Sequence, residues 1–190
     1  MEDEFMDGLV RGFVLALFAI FALLAIPFRS YIQPVIVMSA IPFGIVGAVW
    51  GHVFLGMTVN FMSFLGMVAV AGVVVNNSLV FVHFVNHRVR EHGLLRDAVC
   101  EAGAARFRPI LLTSLTTAVG VTPLMLETSL QARFMIPMAV AVASGVLFAT
   151  LVTLFFVPSI YMILEDVRSF FGFRHRMVPD EPVPAPAGGD

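Results

Sequence analysis

The chain has 190 residues, of which 59% are hydrophobic and 13% charged, with a formal net charge of −2 and a mean hydropathy of +0.94. Soluble domains carry about a quarter charged residues, and a soluble fold of this size has too little interior to hide so much apolar surface. Soluble globular, disordered, collagen-like and disulfide-framework classes are excluded. The charge leaves no nucleic-acid footprint, and an integral membrane protein remains.

Runs free of Asp, Glu and Arg place the spans in chain order. Residues 1–9 form a short acidic lead-in. Gly12–Phe28 predicts a first helix near 10–28. Ser30–His87 is long enough for two helices, and Gly56-Met57-Thr58-Val59-Asn60 is its most turn-like stretch, which predicts helices near 34–55 and 61–85. Ala25-Ile26-Pro27-Phe28 ends the first of these spans, and its echo Ala40-Ile41-Pro42-Phe43 falls inside the second, where proline kinks a helix. In the polar stretch 88–108, Leu95, Ala98, Val99, Ala102 and Ala105 share one helical face, away from Arg96, Asp97 and Glu101. That pattern predicts a short helix over 91–107 lying on the membrane interface. Pro109–Leu126 and Phe134–Leu164 predict spans near 109–127 and 135–160. A span needs about 20 apolar residues, and lipid offers the backbone no hydrogen bonds, so all five are helices. The tail 166–190 is polar and proline-rich, predicted disordered from about residue 179. The transmembrane domain thus covers 10–165 of an all-α integral membrane protein.

Arginine counts set the orientation. Arg29, Arg88, Arg90, Arg96, Arg106, Arg108, Arg168, Arg174 and Arg176 fall on one side, against Arg11 and Arg133 on the other. The richer side is predicted cytoplasmic, which puts the N-terminus outside and the C-terminus inside. Met1-Glu2-Asp3-Glu4 lacks the basic start and cleavage site of a signal peptide. It reads instead as the continuation of a larger extracytoplasmic domain, so the chain is expected to be a fragment.

No nucleotide loop, zinc spacing or nucleophile elbow occurs, and without lysine a phosphate-binding Gly-Lys loop is impossible. No metal, cofactor or enzymatic chemistry is expected. His83, His87 and His92 lack an acidic or thiol partner for a metal. Polar groups inside the bilayer are more informative, because they are costly and usually face the bundle interior. Asn76-Asn77-Ser78 sits mid-span, and Asn76 and His83, seven apart, share a stripe with Gly72 and Ala69. This is either an interhelical hydrogen-bonding seam or a proton or ion path. A second stripe runs through Arg106, Ile110, Thr113, Thr117 and Gly120. Its hydroxyls can bond back to their own helix, and Arg106 can either anchor the interface or reach along the stripe. His52, toward the outer end of its span, is expected to snorkel to the interface.

The segments "ALLAIPFRSYIQPVIVMSAIPFGIVGAVWGHVFLG", "GVVVNNSLVFVHFVN", "RFRPILLTSLTTAVGVTPLM" and "LFFVPSIYMIL", in that order, resemble the C-terminal membrane segment of resistance-nodulation-division (RND) efflux transporters. The similarity covers about residues 5–165 and is nearest to the hydrophobe/amphiphile branch of Gram-negative bacteria. It implies five transmembrane helices equivalent to the last five of twelve, from the second half of the RND transmembrane bundle. It also implies a bacterial inner-membrane location and proton-driven multidrug export. The partners implied are the lipid bilayer, the missing N-terminal half, two further protomers in a homotrimer, a periplasmic adaptor and an outer-membrane channel. By resemblance, the proton relay takes Asn76 at a position where the family has lysine, the neighbouring Asn77, Arg106 and Thr113. Asparagine can hydrogen-bond a carboxylate but cannot neutralise it. His83 stands where relatives often carry an acid, and it is a further titrating candidate. Two rival readings stand beside this one: a truncated, non-transporting membrane subunit, and a small oligomeric ion or proton channel.

Overall fold

A computed structural model describes residues 2–92 and 95–170. Six helices follow one another: α1 (Glu2–Phe28), α2 (Ile32–Met38), α3 (Ile41–Phe54), α4 (Phe61–His92), α5 (Leu95–Met125) and α6 (Leu130–Phe170). No strand occurs among the described residues, and the fold is an all-α bundle. Four helical stretches are long and apolar enough to cross a membrane: Met6–Phe28, Ile32–Phe54, Phe61–Val89 and Leu130–Ile163. The α5 helix, expected as a fifth span, is less apolar than these four, because Thr113, Ser114, Thr116, Thr117 and Thr122 dilute its apolar residues.

Three boundaries differ from the sequence expectation. The lead-in is not a separate segment: α1 is helical from Glu2, and Asp7 pairs with Arg11 one turn later at 2.6 Å. Acidic residues suit a helix N-terminus, where the macrodipole is positive. Residues 95–107 do not form a separate interfacial helix but run unbroken through Pro109 into α5. Their apolar face is mostly alanine, too small to insert into lipid but able to approach another helix closely. Val99 and Ala102 accordingly join the main core, and Ala98 is buried. At the far end α6 continues to Phe170, so the first residues of the expected tail are helical. The disorder expected from about residue 179 falls on residues outside those described.

The span expected at 34–55 is two helices. The Ser39 N–H still bonds the Val35 carbonyl at 2.9 Å, and the helical ladder lapses at Ala40, whose N–H reaches only the Val37 carbonyl at 3.4 Å, while the Ser39 hydroxyl bonds the Ile36 carbonyl at 2.6 Å. Pro42, in the first turn of α3, has no N–H to continue the ladder. Gly56, at φ 62°, supplies the left-handed residue that turns α3 back toward α4.

α6 is the common rail of the bundle, and α3, α4 and α5 all lie along it. Against α3 the contact is made by glycine. Gly44, Gly47 and Gly51 share one face of α3, and a Cβ on Gly47 would sit 2.5 Å from the Phe148 Cβ. α1 stands at the edge. Leu24 and Phe28 enter the core, while Val10, Val14, Leu15 and Phe18 turn outward.

His52 does not snorkel. It is 1% exposed, with Nδ1 2.8 Å from the Ala48 carbonyl and Nε2 2.7 Å from the Ser63 hydroxyl. Ser63 and Asn60 cap each other at the start of α4, with the Ser63 N–H donating to the Asn60 side chain at 3.1 Å. Both ring nitrogens are thus satisfied inside the bundle, which removes the drive to reach water.

Candidate functional site

α4 and α5 run side by side and carry the candidate residues. At the arginine-rich end, Arg106 on α5 and Arg88 on α4 share the Phe84 ring, with guanidinium carbons 4.7 and 5.3 Å from its centroid. Such contacts contribute about 0.5–1 kcal/mol when exposed and about 2 when desolvated. Arg88 also pairs with Glu101 across the two helices at 3.0 Å. His83, His87, Arg88 and Arg106 line one groove together with Phe84. Arg106 Nε is buried and has no hydrogen-bond partner among the described residues. Arg108, two positions on, is exposed.

From this groove the two stripes climb in parallel. Asn76 is two turns from His83 on the same face of α4, and Thr113 is two turns from Arg106 on the same face of α5. Asn76, Gly72, Ala69 and His83 are all exposed, as are Thr113 and Gly120. A Cβ on Gly72 or Gly120 would meet nothing within 4 Å. The structure therefore brings His83 and Arg106 into one groove and sets Asn76 and Thr113 on the surface that continues from it. It does not bond Asn76, Arg106 and Thr113 to one another. Asn77 turns elsewhere, into a narrow crevice among α4, α5 and α6 with Ser78, Ile110 and Thr153. There the buried Ser78 hydroxyl has no partner among the described residues.

The hydroxyls of α5 bond mainly to their own helix. Thr113 donates to the Pro109 carbonyl at 2.9 Å, Thr117 to Thr113 at 2.8 Å and Thr122 to Ala118 at 2.9 Å. Ser114 is buried and adds a bond across to Thr150 of α6 at 2.5 Å. Thr113 thus spends its proton locally and keeps its oxygen lone pairs for an outside donor.

Gln33, Asn86 and Tyr161 belong to neither stripe. They converge at the arginine-rich end, where the Asn86 amide donates to Gln33 Oε1 at 2.9 Å and Gln33 Nε2 donates to the Tyr161 oxygen at 3.1 Å. The available signal was Gln33 itself, a long amide inside an otherwise apolar span, which lipid does not tolerate unpartnered.

Residues 2–165 match the model of the AcrB/AcrD/AcrF family, and the chain belongs to that family of RND transporters. It is a multi-pass membrane protein. Among solved structures it is similar to one crystal form of a heavy metal efflux pump, with 29% identity and a TM-score of 0.72 over 80% of this chain. A second crystal form of a heavy metal efflux pump gives 31% identity and a TM-score of 0.64 over 76% of this chain. The chain spans 15% of the length of the pump chain in each case.

Proposed function

We propose that the chain is the last five spans of a proton-driven multidrug or amphiphile efflux transporter and supplies the second-half relay residues Asn76, Asn77, Arg106 and Thr113. One observation carries the reading. A guanidinium with a buried Nε that no described residue accepts sits at the foot of an exposed face made of Asn76, the α5 threonines and uncovered glycines. Lipid is a poor neighbour for such a face, whereas a further helix can approach closely over Gly72 and Gly120. A carboxylate on that helix would complete Arg106 and accept a hydrogen bond from Asn76. Each proton entering through such a site supplies about 2.3 kcal/mol per 100 mV, which biases one conformation of a two-state bundle over the other. Arg106 and Thr113 would change partners as that carboxylate is protonated and released. The reading places the chain in the bacterial inner membrane, in a homotrimer with a periplasmic adaptor and an outer-membrane channel, without enzymatic activity. Drug export is the substrate class that the sequence resemblance supports. Metal export is the rival that the similar solved structures support.

Among the described residues no carboxylate lines the groove that holds Arg106, so the reading takes the acid that completes it from another helix. Residues 1–190 expressed in a pump-deficient strain are therefore expected to leave drug and metal susceptibility unchanged, while a full-length transporter carrying this segment restores resistance. Resistance from residues 1–190 alone would favour the channel reading. Restored tolerance to metal salts without tolerance to drugs would transfer the substrate assignment to the rival.

The proposed orientation puts residues 95–108 in the cytoplasm. Cys100 is exposed there and is a native reporter. A membrane-impermeant maleimide is expected to spare it in intact cells and label it after lysis. Labelling in intact cells would invert the topology.

A further inference from the structure

We infer that Gln33, Asn86 and Tyr161 are positioning residues that fix the rotation of α4 about its own axis, so that Asn76 and His83 face the same side as Arg106 and Thr113. The inference rests on the relay reading for its functional meaning, but its geometry stands alone.

The three side chains form a closed ring. The Asn86 amide donates to Gln33 Oε1 at 2.9 Å, and the Gln33 amide returns a bond to Asn86 Oδ1 at 3.3 Å. Gln33 Nε2 also donates to the Tyr161 oxygen at 3.1 Å, and the Tyr161 hydroxyl donates to Asn86 Oδ1. Turning either amide would face donor to donor, so the reciprocal pair fixes both orientations. Gln33 is 1% exposed and Tyr161 0%, among Ile36, Val82, Val85 and Val157. Buried amides that lose their partners cost far more than the net gain of making the bonds.

That asymmetry gives the ring a task that apolar contacts cannot perform. α4 also packs through Val70, Val74, Val82 and Val85, whose attraction has no direction, and its other directional contacts include Ser63 to His52 at the far end of the helix and the part-exposed pair Arg88–Glu101. At 3.6 residues per turn, Asn86 lies about 60° around the helix from His83. A rotation of α4 by one residue would carry Asn86 out of the ring and swing Asn76 and His83 away from α5. α6 serves as the reference for both stripes. Tyr161 holds α4 through Asn86, while Thr150 holds α5 through Ser114. Gln33 adds α2, the short helix below the break at Ser39 and Ala40.

The test uses the protein as it is encoded, in native membranes, with Cys100→Ser as background. Arg88 and Glu101 face each other at 3.0 Å, two positions along α4 from Asn86. Arg88→Cys with Glu101→Cys, joined by a short bis-maleimide, therefore reports the rotation of α4 against α5. At equal protein amount, Tyr161→Phe and Asn86→Leu are each expected to cut the cross-linking rate about tenfold, the scale set by orphaned buried amides. Exchanging the amides, Gln33→Asn with Asn86→Gln, keeps the summed side-chain length and is expected to recover most of the rate. The same variants, without the added cysteines, are expected to displace the pH profile of substrate efflux, and the exchange to return it. A ring that only stabilised the fold would lower protein abundance and leave both readouts unchanged at equal protein. Unchanged cross-linking in Tyr161→Phe and Asn86→Leu overturns the inference. If a full-length transporter carrying this segment shows no pH-gradient-dependent efflux, the relay reading fails instead, and cross-linking still decides the positioning role.

Discussion

On the proposed reading, Arg106→Ala is expected to abolish export by a full-length transporter carrying this segment, with its abundance in the membrane nearly unchanged. Arg106 stacks on Phe84 and buries an Nε that no described residue accepts. If a carboxylate from outside the chain completes it, alanine leaves that carboxylate buried and unpaired, at a cost of about 3–5 kcal/mol. Such a cost corresponds to a loss of more than about a hundredfold in the population able to transport. Arg106→Lys keeps the charge but loses the planar fork and the stacked ring contact, so export is expected to be impaired rather than normal. Arg108→Ala is the control. It removes the same charge from an exposed position two residues along and is expected to keep most activity. Drug-efflux rates at matched protein levels check all three. Equal, mild losses would make Arg106 an interfacial anchor and withdraw it from the relay.

The helices were legible because lipid leaves the backbone one solution, and charge-free runs mark where it applies. The Asn76–His83 and Arg106–Thr113 stripes were legible for a similar reason. A spacing of seven puts two side chains on one face wherever the helix lies. What the sequence concealed depends on partners distant in the chain. His52 is buried because Ser63, on the next helix, meets its Nε2. The ring at Gln33 needs Asn86 and Tyr161, 53 and 128 residues away. Pro109 suggested a helix start, yet a proline costs one backbone bond and α5 is long enough to absorb it. The alanine face at 98–102 suggested a membrane surface, because periodicity shows that a face is apolar without showing what covers it. The role of the glycines was hidden in the same way. Gly44, Gly47 and Gly51 on α3 are used inside the bundle, whereas Gly72 and Gly120 are open.

That division predicts opposite outcomes for one kind of substitution. A Cβ on Gly51 would lie 2.1 Å from the Ser144 hydroxyl oxygen and 2.3 Å from the Ser144 Cβ. The Cβ is fixed to the α6 backbone, so no rotamer change relieves the overlap, and the two helices must separate. Separation forfeits the close contacts along the whole α3–α6 seam, since dispersion falls off within an ångström of optimal distance. Overpacking in a close-fitted core costs about 1–3 kcal/mol even where side chains can yield. Gly51→Ala is therefore expected to reduce folded protein in the membrane severalfold, and Gly51→Val to eliminate it. Gly72→Ala meets nothing within 4 Å and is expected to leave the abundance of residues 1–190 unchanged. The decisive variant is the pair Gly51→Ala with Ser144→Gly. It moves the missing side chain from one helix to the other and gives up one bond, from the Ser144 hydroxyl to the Val140 carbonyl at 2.7 Å. Immunoblots of membrane fractions, with thermal unfolding in detergent, are expected to show the pair restored to near the parent level. If Gly51→Ala alone is harmless, or Ser144→Gly fails to rescue it, the steric account of the α3–α6 seam is wrong.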